Sequence, residues 1–336
     1  MRGRRAAGLL GAAALTLALL AAGEGLVGGS TAHAARAQER AFTPDPLAGW
    51  KLFRFADTPA AAAAAGFRAR RMTRDAELME RISSQPTAAW LTQDASRVLR
   101  QVTYTTKLAS RQGAAAVLVA YDIPGRGCGE NAGASESRYL RWIAEMAQGI
   151  GPRHTIVILE PDAIPFAAAG CAISPRLLGR AVQTLIQASG ARVYIDAGNP
   201  SWITPPSRLV APLLEADIRQ AAGFSLNVAN FLTTAANVAY GDELSRLLRG
   251  AHFVIDTGRN GNGPELNAAG AVVICNPPGR ALGAEPTTNT GMPGVDAYLW
   301  VLPPASSDAG CRAGGSRSEG SWPRYALELA ENATGS

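Results

Sequence analysis

The sequence predicts an α/β fold built on a parallel sheet, and three observations point to it. Seven short runs are apolar along nearly their whole length, at 115–121, 155–160, 192–196, 223–228, 252–256, 271–275 and 297–302. Such runs suit strands covered on both faces. Helical periodicity fills several of the gaps, and polar residues gather at one end of the runs. Strand–helix alternation of this kind fits an α/β barrel or an open doubly wound sheet.

The elements follow in chain order. Residues 1–34 read as a secretory leader: Arg2, Arg4 and Arg5 precede an apolar stretch over 6–26, broken by Glu24, and Ala32-His33-Ala34 offers a small-residue cleavage site. The stretch is nearly long enough to span a bilayer, which leaves an uncleaved anchor as the alternative. The Arg4-Arg5 pair leaves twin-arginine and general export both open. Residues 35–45 are a polar lead-in, and 46–336 form one domain of catalytic size, with no Ser/Pro-rich linker and no internal repeat. The alanine run at 60–65 suits a surface helix. In 136–150, Tyr139, Leu140, Ile143, Met146 and Ile150 recur at helical spacing and should face the core. In 174–189, Ser174 is a good N-cap, Pro175 fits the first turn and Gly190 stops the helix.

Composition narrows the class. Of 336 residues, 47% are hydrophobic and 18% charged, enough for a large core and unlike a disordered chain. Losing the leader removes three Arg and one Glu, which lowers the formal net charge from +5 to +3. That is too small and scattered for a nucleic-acid footprint. No later stretch could cross a membrane, so the processed chain is expected to be an extracellular, soluble monomer. The four cysteines, Cys128, Cys171, Cys275 and Cys311, favour two disulfides in an oxidising compartment, with three connectivities open. No two of them sit close together, so no metal site is expected.

The chemistry is expected at the strand ends. Tyr121-Asp122, Glu160-Pro161-Asp162, Asp196, Asn227 with Asn230, and Asp256 each follow or close one of five runs. Parallel α/β folds build active sites at strand C-termini. A nucleophile elbow is absent from the sequence. His154 and His252 each stand at the start of a strand, which suits a structural role. The glycine-rich 258–263 lacks the lysine and spacing of a phosphate loop. What remains is carboxylate acid–base catalysis without a cofactor, the chemistry of glycosidases.

At these strand ends the chain resembles glycoside hydrolase family 6, the inverting cellobiohydrolases and endoglucanases. The segments that carry the resemblance are QPTAAWL (85–91), VLVAYDIPGRGC (117–128), ILEPDAI (158–164), DAGNPSW (196–202), FSLNVANF (224–231), VIDTGRNGNGP (254–264), PTTNTG (286–291) and DAYLW (296–300). The resemblance implies a distorted, partly open, seven-stranded parallel β/α barrel with a glucan cleft across the strand C-termini. It implies disulfides Cys128–Cys171 and Cys275–Cys311. Carried over by motif, Asp162 is the proton donor, Asp308 the candidate base, Asp196 a charge-stabilising carboxylate and Tyr121 a neighbour of the distorted sugar. Trp90 and Trp202 are aromatic platforms, and Asn230 with Asn227 are sugar-binding amides. The implied substrate is a β-1,4-glucan, cleaved with inversion.

The departures from the family pattern fall in the cleft. Gly127 stands where an aspartate modulates the acid, and the loop 129–134 is shorter than expected. Asn199, Ile274, Leu302 and Ser306 replace histidine, tryptophan, lysine and glutamate. Glu130 and Asp122 are the closest compensating carboxylates, neither in register. These changes frame a second reading, a catalytically weak or inactive carbohydrate-binding protein on the same scaffold. Exo against endo action stays open, as does the particular glucan.

Overall fold

The computed structural model describes residues 45–92, 95–129, 135–188, 190–306 and 323–333. Along the chain these form α1 (Pro59–Ala69), α2 (Thr73–Ser83), β1 (Ala89–Leu91), α3 (Ala95–Arg111), β2 (Ala116–Ala120), α4 (Glu136–Ile150), β3 (Thr155–Leu159) and α5 (Ala163–Ala168). Then come α6 (Pro175–Ile186), β4 (Ala191–Asp196), α7 (Val210–Glu215), β5 (Gly223–Leu226), α8 (Thr234–Leu247), β6 (His252–Asp256), β7 (Val295–Leu299) and α9 (Pro323–Asn332).

All seven strands are parallel and lie in chain order, β1 to β7, in one curled sheet. The sheet is a half-barrel with helices packed on its outside, the barrel rather than the doubly wound alternative. Side-chain alternation explains why the apolar runs have no polar face. Val117, Val119, Ile156, Ile158, Tyr194, Val254 and Ala297 fill the concave side. Leu118, Ala120, Val157, Leu159, Val193, Ile195, Phe253 and Ile255 pack outward against α3, α4, α6 and α8. Both faces are therefore dry, as a parallel sheet demands. Across the open side, the Ala88 N–H donates to the Trp300 carbonyl at 3.1 Å, so the two edges meet without a ladder.

Local signals account for the helices. The Ser135 hydroxyl accepts the Arg138 N–H and caps α4, whose buried stripe includes Tyr139, Ile143 and Met146, with Trp142 added and Leu140 only half-buried. Ser174 caps α6 by accepting the Leu177 N–H, and the helix stops at Ile186, earlier than the spacing suggests. Gly190 is required by close approach, because a Cβ there would lie 2.1 Å from the Arg153 carbonyl oxygen. In α1, Ala60 and Ala64 turn inward with Phe67, joining Met79 and Ile82 of α2 and Tyr325 and Leu329 of α9 in a satellite core.

Two strand assignments are corrected. The apolar run 271–275 is not a strand: Val272 makes one antiparallel bridge to Leu266, and Ile274 is exposed. The run lies in the long connection from β6 to β7. The seventh strand is instead β1, only three residues long, pairing Ala89 to Leu118, Trp90 to Val119 and Leu91 to Ala120. Among the described residues no helix is long and apolar enough to cross a membrane.

Candidate active site

A cleft of about 800 Å³ opens at the C-terminal end of the sheet. Trp90, Tyr121, Asp162, Asn199, Trp202 and Asn230 line one part of it, and the aliphatic side chains of Val228, Val272, Ile274 and Leu302 line another. Of the residues singled out in the sequence, the structure thus brings Trp90, Tyr121, Asp162, Trp202 and Asn230 together. Asp308 and Cys311 lie outside the described residues.

Asp162 follows β3 in a left-handed turn, with φ +73°, and begins α5. It is half-buried. Burial raises its pKa above the ordinary carboxylate range. Its backbone N–H donates to Asp196 Oδ2 at 2.8 Å. The same oxygen accepts the Gly198 N–H at 3.1 Å, and Oδ1 accepts the Ser225 hydroxyl at 3.1 Å. Asp196 is fully buried, and burial followed by the nearby Asp162 charge pushes its pKa up as well. Its carboxylate therefore fixes the turn of Asp162 from behind rather than facing the cleft, a placement the strand-end position did not distinguish.

The aromatic groups are held from two sides. The Trp90 indole N–H donates to the Val301 carbonyl at 2.8 Å, and its ring meets Tyr121 edge-on at 5.2 Å. The Arg126 guanidinium lies 4.1 Å over the Tyr121 ring and donates to the Tyr121 carbonyl. Burial, with Asp162 nearby, pushes the Tyr121 phenol up to about 12, so it stays a donor. Trp202 stands edge-on to Phe166 of α5 at 4.8 Å. It can come so close to the acid turn because Gly198 has no side chain: a Cβ there would meet Pro165 Cγ at 2.7 Å.

Other strand-end groups turn out to be staples. Asn227 was expected to bind sugar. Instead it is fully buried, its amide donating to the Asp256 carbonyl at 2.8 Å and accepting the Leu232 N–H at 3.1 Å, so it is not on the cleft wall. Asp256 accepts the N–H groups of Gly258, Ala229, Val301 and Leu302, between 3.0 and 3.2 Å. Asn199 accepts the Ser201 N–H at 3.0 Å and hydroxyl at 2.7 Å, a local turn on the cleft rim. By contrast, Asn230 Oδ1 is buried without a hydrogen-bond partner among the described residues and lies on the cleft wall. Sequence reasoning missed Phe166 and Ser201 on that wall; neither carries a signal that separates it from ordinary packing and turn residues.

Cys128 and Cys171 are bonded, with Cα atoms 5.1 Å apart, joining the loop after Tyr121 to the end of α5. Cys275 is also disulfide-bonded. His154 stacks on Trp50 at 4.2 Å, and His252 pairs with Asp296, which also accepts the Tyr194 hydroxyl at 2.7 Å; both histidines sit at the starts of strands, away from the cleft. The glycine-rich 258–263 is a packing device, since a Cβ at Gly261 would lie 2.2 Å from the Leu282 carbonyl oxygen. Among the described residues no three His, Cys, Asp or Glu side chains group as metal ligands.

Comparison with known proteins agrees with this geometry. Endoglucanase A of Cellulomonas fimi is 42% identical over 268 residues, which cover 77% of this chain and 57% of that protein. Endoglucanase 1 of Streptomyces sp. (strain KSM-9) is 38% identical over 249 residues, 70% of this chain and 67% of that protein. This chain therefore matches little more than half the length of the first relative. The endoglucanase Cel6 from Mycobacterium tuberculosis, solved with methyl-cellobiosyl-4-deoxy-4-thio-β-D-cellobioside, superposes with a TM-score of 0.78 at 36% identity, covering 87% of this chain and 100% of that one. With the model of that family matching residues 47–333, the chain belongs to the glycosyl hydrolases family 6.

Proposed function

We propose that the protein hydrolyses the β-1,4-glucosidic bonds of cellulose or a related β-glucan by inversion, with Asp162 as general acid. The observation that carries this reading is the Asp162 carboxyl. Among the described residues it is the one acidic side chain on the cleft wall, and burial favours its protonated form. That form is what protonation of a leaving glycosidic oxygen needs. The thio-cello-oligosaccharide in the similar M. tuberculosis endoglucanase supports a ligand of this shape.

The remaining roles follow from what each side chain can offer. Trp90 and Trp202 present apolar ring faces on which sugar C–H groups can stack. Asn230 Oδ1 has an acceptor to give to a sugar hydroxyl. Tyr121 stands beside the acid, its ring steadied by Arg126. Asp196 acts through the backbone of Asp162. Inversion needs a second carboxylate about 6.5–9.5 Å away to take a proton from the attacking water. Asp308 is the candidate for that base by the family resemblance. The reading includes export, with 1–34 as leader, 35–45 as lead-in and 46–336 as a monomeric catalytic domain; the Cys128–Cys171 bond suits an oxidising compartment.

The test is reducing-sugar release from a soluble cellulose derivative and from other β-glucans. Asp162→Asn should lower the rate by about 10²–10⁴-fold, the usual contribution of a general acid. Equal rates would overturn the assignment. NMR of the first product should show the α-anomer, and the β-anomer would exclude inversion.

A further inference from the structure

Glu160 has no part in the chemistry above, yet like Asp196 it is an acid enclosed next to the cleft. It is fully buried and holds φ +49°, a region unusual for a residue other than glycine. One carboxyl oxygen accepts the Asp122 N–H at 3.0 Å. The other accepts both that N–H at 3.0 Å and the Ile123 N–H at 3.1 Å. Its own backbone N–H donates to the Ala120 carbonyl at 2.9 Å. The carboxyl's bonds to backbone N–H groups and the residue's own N–H thus run to the strand end and loop that carry Tyr121, while its carbonyl accepts the Ala163 N–H at 3.1 Å in the Asp162 turn. Two residues further on, Asp162 sits in the second left-handed position of the same turn.

We propose that Glu160 is a positioning residue that holds the Tyr121 loop in register with the Asp162 turn, so that phenol and acid address the same sugar. The inference rests on the hydrolase reading above. Burial pushes the Glu160 carboxyl up to about 8, against the pull of those backbone N–H groups and of Tyr139 beside it. A carboxyl kept at that depth is unfavourable on its own, and a hydrocarbon of the same size could not accept the two N–H groups. What the acid adds is geometry at two loops. Misplacing catalytic groups by about 1 Å can cost about 10²-fold in rate.

Glu160→Gln is the direct test, because it keeps the size but presents an amide donor to at least one of the two N–H groups. We expect kcat on a soluble β-glucan to fall by about ten- to a hundred-fold, with KM nearly unchanged and the basic limb of the pH–rate profile displaced. In hydrogen exchange, the Asp122 and Ile123 amides should lose protection. A packing role alone would lower the melting temperature while leaving kcat per folded molecule and the limb where they were, and that result overturns the proposal. Should E160Q not fold, Glu160→Asp, an acid shorter by one methylene, is read in the same way. If the wild-type chain cleaves no glucan, the hydrolase reading fails. Exchange at the two amides, with calorimetric binding of cellohexaose, then decides: both weakened in E160Q supports the clamp, both unchanged overturns it.

Discussion

Asp162 carries a proton at a pH where an exposed aspartate has lost it, because burial disfavours the charge. If Asp162 is the general acid proposed above, its ionisation removes that acid, and the rate should fall as pH rises through a range above the usual carboxylate value of about 4. A pH–rate profile whose basic limb lay at that ordinary value would contradict this. Gly127 offers a way to move the limb. Its φ of +67° belongs to the left-handed region that Asp and Asn tolerate better than most residues. Gly127→Asp should fold, place a negative charge near the acid and shift the limb to higher pH. An unmoved limb in a folded variant would absolve Gly127. Gly198→Ala tests the opposite kind of position: a Cβ would strike Pro165 and strain a backbone at φ +73°. It should cost about 1–3 kcal/mol in denaturant unfolding, as overpacking does, and lower activity by moving Trp202. At this scale the sequence was half legible. The motif singled out Asp162 and Asn230, both of which line the cleft, but Asn227, Asp196 and Asp256 look the same in one dimension. Whether a strand-end polar group faces a cleft or a neighbouring loop's N–H is decided only when the loops pack, because irregular backbone must find acceptors.

Six of the seven strands, and the helices α1, α4 and α6, were readable in the sequence. Period placed α4, and the Ser174 cap placed the start of α6; in the structure Ser135 and Ser174 each satisfy a first-turn N–H. The three residues of β1 are too few to show a pattern, and the apolar 271–275 looks like a buried strand although Ile274 faces outward. Hydrophobicity in that loop belongs to the cleft wall, not to the sheet. The Cys128–Cys171 bond works between elements, tying the Tyr121 loop to the end of α5 across 43 residues of chain. A loop of that length corresponds to about 4 kcal/mol in a chain-entropy model. Replacing both cysteines by alanine should lower stability by up to that amount and also lower kcat, because both tethered segments reach the cleft. Denaturant melts and initial rates check the two effects separately; a lower midpoint with undiminished kcat would make the bond a brace for stability alone.

Over the whole molecule, several buried acids hold protons more tightly folded than unfolded. Glu160 is pushed up to about 8 and Asp296 to about 6, with Asp162 and Asp196 also raised, burial being the largest cause for each. The folded chain therefore binds more protons than the unfolded one across the weakly acid to neutral range. Stability should be fullest near pH 4 or below for these groups and decline as pH rises toward about 8. Urea midpoints that increased between pH 5 and 8 would contradict this. The α/β class was legible in the dry runs, whereas the choice of a barrel over a doubly wound sheet came only with the family resemblance. Which strand closed the set was not legible, because β1 is defined by its partner rather than by its own residues. The half-barrel's two edges meet at one bond, Ala88 to Trp300, and sheet edges left bare invite strand-to-strand association between molecules. One margin is only Ala89–Leu91. On the other, Thr287 exchanges both backbone bonds with Tyr298 at 2.9 Å and blocks the middle of β7. Neither margin offers a neighbouring chain a long run to template on, so an edge left by incomplete closure is expected to resist strand-to-strand aggregation.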